Sequence, residues 1–119
     1  MLQNYVNYHR FKCYICQKFI LLKIGIIKEG KTPPDKRVPL TPKQCKWIKD
    51  NYPHLKLVVQ KSPIRKFKDE TYAAFGLTLV DDVSDCDVLL GVKEVPIEDL
   101  IPNKKYFFFS HTFKKQPYN

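Results

Sequence analysis

Short apolar runs alternate with polar segments that contain Pro or Gly along most of the chain. Continuous runs of β-branched and aromatic residues are typical of strands covered on both faces of a parallel sheet. The pattern predicts main strands over residues 21–28, 55–59, 87–92 and 105–110, and a minor strand over residues 77–80.

Helix signals lie between these strands. Thr41 can cap a helix, Pro42 suits its first position, and Gln44 can complete a capping box. We expect this helix to end before residue 53, with an apolar face made by Cys45, Ile48 and, as a further candidate, Trp47. The pattern also predicts a short helix over residues 69–76, which begins with acidic residues and ends at a glycine, and one helical turn over residues 96–100.

The order strand, helix, strand is typical of βαβ units, in which right-handed crossovers join parallel strands. We therefore expect an α/β fold, a Rossmann-like parallel sheet with flanking helices. The length of 119 residues fits one domain, which we assign to residues 23–119 after an N-terminal extension over residues 1–22. The last predicted strand is aromatic and no helix signal follows it, so we expect the domain to be truncated at its C-terminus.

The composition is that of a folded globular protein with a basic bias. Apolar residues make up 44% of the chain and charged residues 28%, unlike a disordered protein. Part of the net charge of +9 is local, because Arg10, Lys12 and Lys18 precede the first acidic residue, Glu29. A moderately basic surface attracts nucleic acid and small polycarboxylates alike.

The N-terminal segment limits where the protein is expected to act. Its apolar run is interrupted by Lys23 and is too short to span a bilayer. It also lacks a small-residue cleavage site, so we expect neither a membrane span nor a secretory signal. We expect a cytoplasmic protein. A mitochondrial location is the open alternative, because the segment is basic and free of acidic residues, although Arg is scarce there and Ser is absent.

Motifs for several other chemistries are absent or incomplete. Cys13 and Cys16 have the spacing of half a zinc site or of a redox pair, but no second Cys pair or His cluster follows, and we expect no metal site. Cys45 and Cys86 fit ordinary positions in a helix and at a loop edge. The glycines, at positions 25, 30, 76 and 91, form neither a Gly-x-Gly-x-x-Gly motif nor a P-loop.

Titratable residues follow the predicted strands. Lys93 follows strand 87–92, His111 follows strand 105–110, Lys28 ends the first strand, and Arg37 lies in the loop after it. In open α/β sheets, ligands bind at the edge where the carboxyl ends of the strands meet. Arg offers a planar fork that matches a carboxylate, and a lysine or histidine whose pKa is lowered by burial or by neighbouring cations can transfer protons. The sequence therefore predicts a crevice that binds a carboxylate and moves protons.

Three ordered motifs connect the chain to a known family. They are Ile26-Ile-Lys-Glu-Gly with Asp35-Lys-Arg-Val-Pro-Leu-Thr-Pro42, then Leu90-Gly-Val-Lys-Glu-Val-Pro96, then Phe108-Phe-Ser-His-Thr-Phe-Lys114. Over residues 23–119 the chain resembles the N-terminal domain of the alanine dehydrogenase and pyridine nucleotide transhydrogenase family. The last motif is more similar to lysine-forming saccharopine dehydrogenase and lysine-ketoglutarate reductase than to alanine dehydrogenase.

The resemblance implies roles for individual residues. By position, Arg37 resembles the family's substrate-carboxylate arginine, and Lys93 and His111 resemble its acid–base pair, with Lys93 also a substrate contact. Gln116 resembles a further substrate contact. The charges that resemble those tuning the acid–base pair are Glu94 and Lys114.

The resemblance also implies the reaction and its cofactor. It implies an oxidoreductase that acts on an amino-acid or 2-oxo-acid substrate, with NAD or NADP bound by a domain absent from this chain. The expected reaction is the reversible oxidation of saccharopine to lysine and 2-oxoglutarate. The isolated chain is then expected to be inactive, and an oligomer is compatible with the family.

Two alternatives stay open at this point. An alanine dehydrogenase-like oxidoreductase, with pyruvate and ammonia as substrates, is the alternative within the family. A basic nucleic-acid-binding module is the alternative from another class, suggested by the net charge and by Arg65, Lys66 and Lys68 beside Phe67. Against the second, the basic residues do not form one continuous stripe with stacking aromatics.

Overall fold

A computed structural model describes residues 22–109 of the chain. They form a five-stranded sheet, two helices and a 3₁₀ turn. In chain order the elements are β1 (Lys23–Ile26), α1 (Pro42–Asn51), β2 (Lys56–Gln60), α2 (Asp69–Ala74), β3 (Thr78–Val80), β4 (Val88–Lys93), the 3₁₀ turn (Ile97–Asp99) and β5 (Lys105–Phe109). The predicted elements are all present, with ends that differ by a few residues.

The sheet is parallel throughout and has the strand order β3-β2-β1-β4-β5. The chain builds outward from β1 through β2 to β3, and then returns to place β4 on the other side of β1. Ile26 therefore pairs with Val59 on one side and with Leu90 on the other. This confirms the α/β, Rossmann-like class. It also places a crevice beside β1, where the strand order reverses direction.

Helix α1 begins as its sequence predicts. The Thr41 hydroxyl accepts a 3.2 Å hydrogen bond from the Gln44 amide, and the Gln44 side chain accepts a 2.9 Å bond from the Thr41 amide. Cys45 and Ile48 pack against the sheet. Trp47 does not, and its inclusion in the apolar face was wrong, because 56% of its surface is exposed.

The short helix α2 ends at the predicted glycine. Gly76 has a φ of +84°, a backbone conformation that residues with a Cβ adopt only at a cost. Its carbonyl accepts a 2.6 Å hydrogen bond from the Lys49 ammonium of α1. This contact links the ends of the two helices.

The sheet has a hydrophobic core on each face. Both helices pack on the first core, whose buried members are Ile26, Cys45, Leu57, Val59, Tyr72 and Leu77. Loops cover the second core, whose buried members are Ile27, Val58, Val83, Cys86 and Leu89. Gly25 allows the loop before β4 to approach β1, because a Cβ at this position would lie 2.8 Å from the Cys86 sulfur.

The aromatic strand β5 is only partly covered by the described residues. Tyr106 and Phe108 are half-buried and their rings meet edge to face. Phe107 and Phe109 are 61% and 76% exposed. The described residues thus cover one face of β5 and leave the other exposed.

Candidate functional site

The Arg37 and Lys93 side chains converge on Asp35 at the carboxyl edge of the sheet. The Arg37 guanidinium donates to both oxygens of the Asp35 carboxylate, through Nε at 3.1 and 3.2 Å and through Nη2 at 2.7 Å. The Lys93 ammonium lies 3.7 Å from Oδ2 of the same carboxylate. The structure therefore brings together two of the cations that the sequence pattern selected, and it does so through a carboxylate.

Asp35 is buried and strongly bound to its neighbours. It is 8% exposed, and besides the guanidinium it accepts a 2.9 Å hydrogen bond from the Arg37 amide. Mainly through the side-chain hydrogen bonds from Arg37, its pKa is lowered from 3.8 to about 2. The carboxylate is thus ionised at neutral pH, and it adds a negative charge to the cations that the sequence places at this edge of the sheet.

Replacing Arg37 by Ala should raise the pKa of Asp35 from about 2 toward 3.8, because Arg37 supplies the largest stabilisation of the ionised form. A carbon-detected NMR titration of the Asp35 carboxyl measures this directly. Since the folded pKa is the lower one, the ionised Asp35 stabilises the fold fully above about pH 4. That stability is lost as the pH falls through about 2.

A matched control for this titration is Lys46→Ala on the exposed face of α1, where Lys46 pairs with Asp50. This variant should leave the Asp35 titration unchanged. An Asp35 pKa that stays near 2 in Arg37→Ala would contradict the assignment of Arg37 as its main partner.

Glu94 forms a second, separate ion pair beside Lys93. It is 4% exposed and pairs with the Lys31 ammonium from the loop after β1. The pair borders a cavity of about 310 Å³ that also contacts Thr32, Pro96 and Glu98. Glu94 therefore lies close to Lys93 in the chain and contributes a paired negative charge to the same edge of the sheet.

Lys28 lies apart from the Asp35 cluster. It is exposed and lines a cavity of about 430 Å³ with Gln60, Asp99 and Tyr106, over the second core. Its backbone amide donates a 3.0 Å hydrogen bond to the Gln60 side chain. β1 ends at Ile26, so Lys28 does not end a strand as expected, and the cavity that it lines differs from the one beside Glu94.

Several predicted site residues lie outside the described residues. They are His111, Lys114 and Gln116. The cysteine pair Cys13 and Cys16, which was not assigned to a site, also lies outside them. Sequence reasoning missed three charged residues that the structure places at the site, namely Asp35, Glu29 and Lys31. For Asp35 a signal exists in the sequence, because an acidic residue two positions before the candidate arginine is a ready local partner.

The described residues do not fit a dinucleotide. A dinucleotide's phosphates bind to a glycine-rich turn and to free amides at a helix N-terminus. Here the loop after β1 contains the Glu29 carboxylate, and the Gln44 amide at the start of α1 is occupied by Thr41. Residues 22–109 also contain no group of His, Cys, Asp and Glu arranged to hold a metal ion. In the same part of the chain, no helix has the length and apolar character needed to cross a membrane.

Two residues that suggested nucleic-acid binding are used inside the fold. Arg65 is 7% exposed, donates a 2.5 Å hydrogen bond to the Gln60 carbonyl and lies over the Tyr72 ring. Phe67 packs against the first core. Neither side chain is presented for stacking on a base.

The described cysteines are structural. Cys45 and Cys86 are free thiols and both are buried. Burial raises the pKa of the Cys45 thiol to about 11, so it stays protonated at neutral pH. As the sequence indicates, these are ordinary helix and loop positions.

Comparisons with known proteins identify the family of the chain. The model of the alanine dehydrogenase/PNT N-terminal domain matches residues 25–118. The chain is 38% identical over 100 residues to alpha-aminoadipic semialdehyde synthase of Arabidopsis thaliana and 41% identical over 97 residues to that of Bos taurus. It is 30% identical over 100 residues to saccharopine dehydrogenase [NAD(+), L-lysine-forming] of Yarrowia lipolytica.

These matches cover about four fifths of the chain but a small part of each relative. The matched region is 81% of this chain against 9% and 10% of the two synthases. It is 80% of this chain against 26% of the dehydrogenase. Because the family model matches most of its residues, the chain belongs to the alanine dehydrogenase/PNT N-terminal domain family.

Proposed function

We propose that this chain is the substrate-side domain of an NAD(P)-dependent oxidoreductase that interconverts saccharopine with lysine and 2-oxoglutarate. The observation that supports it best is the convergence of Arg37 and Lys93 on the buried Asp35 carboxylate at the carboxyl edge of the sheet. This arrangement combines a carboxylate-binding group with a proton-transferring group. The relatives include a saccharopine dehydrogenase and an alpha-aminoadipic semialdehyde synthase, and their names support the substrate class.

Arg37 would bind a substrate carboxylate. Its side chain is 70% exposed, while Asp35 holds Nε and Nη2. The guanidinium is thereby fixed in one orientation before a ligand arrives, which reduces the entropy lost on binding. Its pKa is raised, mainly by the hydrogen bonds to Asp35, so it stays cationic and suited to an anionic substrate.

Lys93 would transfer a proton to or from the nitrogen of the secondary amine. Its side chain is 22% exposed, so it can reach a ligand in the crevice. Asp35 beside it is ionised and limits the directions in which the ammonium can lie. His111 would be the second proton carrier, Gln116 a substrate contact, and Lys114 together with Glu94 would tune the acid–base pair.

The nicotinamide cofactor would be bound by a domain outside this chain, since the described residues do not fit a dinucleotide. When bound there, it would accept or donate the hydride. The 119-residue chain alone is accordingly expected to hold substrate groups without turning them over. The protein's activity should appear only where this domain is joined to a nucleotide-binding domain.

An assay of substrate preference tests this proposal. An enzyme in which this domain is joined to a nucleotide-binding domain should oxidise NAD(P)H with lysine and 2-oxoglutarate, and not with pyruvate and ammonia. Absorbance at 340 nm measures both reactions. Turnover of the second pair alone would favour an alanine dehydrogenase-like function, and turnover of neither would contradict the proposal.

Arg37→Ala in the same enzyme sharpens the assay. Loss of a charge-assisted hydrogen bond should raise KM for 2-oxoglutarate by about 10- to 100-fold, with a smaller effect on kcat. Lys46→Ala, an exposed cation of α1, should leave both constants unchanged and controls for the loss of one positive charge.

A further inference from the structure

The end of β4 is held by a carboxylate from another part of the chain. Glu29, in the loop after β1, accepts a 2.6 Å hydrogen bond from the Val92 amide through Oε1. Its other oxygen, Oε2, accepts a 3.1 Å bond from the Lys93 amide. Hydrogen bonds to an ionised acceptor are about twice as strong as neutral ones, so this contact fixes the backbone at Lys93.

A bulge in β4 makes the double contact possible. In a regular strand, consecutive backbone amides point to opposite neighbours. The pairing of β4 with β5 shifts register between Leu90 and Lys93, and this irregularity lets both the Val92 and the Lys93 amide reach one side chain. Bulges beside functional sites commonly redirect a side chain. Here the irregular stretch ends at Lys93.

The surroundings of Glu29 are shaped for this contact. The regular ladder between β1 and β4 ends where the Ile27 amide donates to the Leu90 carbonyl at 2.9 Å. Beyond that point the β4 amides donate to the Glu29 side chain instead of to a neighbouring strand. Gly91 leaves room for the neighbouring Ile27 side chain, because a Cβ there would lie 3.1 Å from it, whereas Oε1 of Glu29, at 3.6 Å, would be in ordinary contact.

We infer that Glu29 is a positioning residue for Lys93: its carboxylate holds the bulged end of β4 so that the Lys93 ammonium points to Asp35. Since the role of Lys93 is part of the proposed function, the inference rests on that function. Glu29 also lies close enough to Arg37 to help raise the pKa of its guanidinium. One carboxylate thus acts on both cations of the site.

Glu29→Gln tests the inference in two measurements. In the 119-residue chain, the variant keeps the size of the side chain but replaces one acceptor oxygen by a donor. Amide hydrogen exchange at Val92 or Lys93 should accelerate by at least about 10-fold, while a core amide such as Val58 keeps its protection. The matched control is Glu70→Gln, at an exposed position in α2. It should leave the exchange rates of these amides unchanged.

The second measurement uses the enzyme in which this domain is joined to a nucleotide-binding domain. Glu29→Gln should lower kcat by about 10-fold, because a misplaced proton-transferring group reacts more slowly, with KM for NAD(P)H unchanged. Unchanged exchange at both amides would overturn the contact. Faster exchange with wild-type kcat would reduce Glu29 to a purely structural residue and would also overturn the inference.

Two further variants complete the design. If Glu29→Gln does not fold, Glu29→Asp keeps the charge but is one methylene shorter, and it should lose protection at one of the two amides. Full protection at both would overturn the inference. Lys93→Met separates the two proposals: if it keeps wild-type turnover, the proposed function fails and the positioning role fails with it. If Lys93→Met is impaired and Glu29→Gln is not, only the positioning role fails.

Discussion

Replacing Lys93 by Met, in an enzyme that joins this domain to a nucleotide-binding domain, should lower kcat by about 100-fold or more. General acid–base groups contribute about 10²- to 10⁴-fold to the rate, and Met removes the titratable nitrogen while keeping a long unbranched side chain. Asp35 remains paired with Arg37 in this variant, so its carboxylate is not left buried without a partner. The loss should therefore report proton transfer rather than misfolding.

The control for Lys93→Met is the same substitution at Lys105. Lys105 is exposed at the start of β5, where it pairs in register with Val88. It thus lies at the amino end of the sheet, away from Asp35. Lys105→Met should keep wild-type kcat and KM, whereas Lys93→Met should lose turnover at every pH where the wild type is active. Stopped assays at saturating lysine, 2-oxoglutarate and NAD(P)H measure the difference.

His111 provides an independent check of the acid–base pair. His111→Gln is expected to lower turnover by about 100-fold as well. If the two residues act as one unit, the double variant should be little worse than either single variant, because effects within such a unit are not additive. Turnover within about threefold of wild type in both single variants would contradict the acid–base assignment.

The fold was largely predictable because its signals are local. The capping box at Thr41, the stop at Gly76 and the continuous apolar strands each depend on a few neighbouring residues. Whether Trp47 is buried could not be predicted from the pattern. In a ten-residue helix the pattern does not fix the width of the apolar face, which can include or exclude one large residue at its border. Which strands lie side by side depends on contacts distant in sequence, as in the pairing of Ile24 with Val88.

The candidate site was predictable only in part. Lys93 and Arg37 follow from their placement after strands, because the ends of parallel strands share an edge. Asp35 and Glu29 were not predicted, because the prediction considered only cations near strand ends and not the carboxylates that orient them. The contact from Glu29 to Lys93 joins residues 64 positions apart and depends on a bulge. Neither charge pattern nor periodicity contains that information.

Replacing Ile26 by Ala should destabilise the fold by about 2–5 kcal/mol. Ile26 is 0% exposed, belongs to the first core, and pairs with both Val59 and Leu90 in the middle of the sheet. Truncating a fully buried isoleucine removes apolar burial and leaves a cavity. Because domains are stable by only about 5–15 kcal/mol, the urea midpoint of the chain should fall by at least about 1 M. Circular dichroism during urea unfolding measures the midpoint.

The same substitution at Ile97 shows whether burial is the cause. Ile97 is 62% exposed in the 3₁₀ turn, so Ile97→Ala loses an equal number of carbon atoms with little loss of buried surface. Its free energy of unfolding should lie within about 0.5 kcal/mol of the wild type, so its urea midpoint should barely move. Equal midpoints for the two variants would mean that β1 does not occupy the centre of the sheet. The strand order that places a crevice beside β1 would then be wrong. The common sheet edge at which Arg37 and Lys93 meet Asp35 depends on the same strand order.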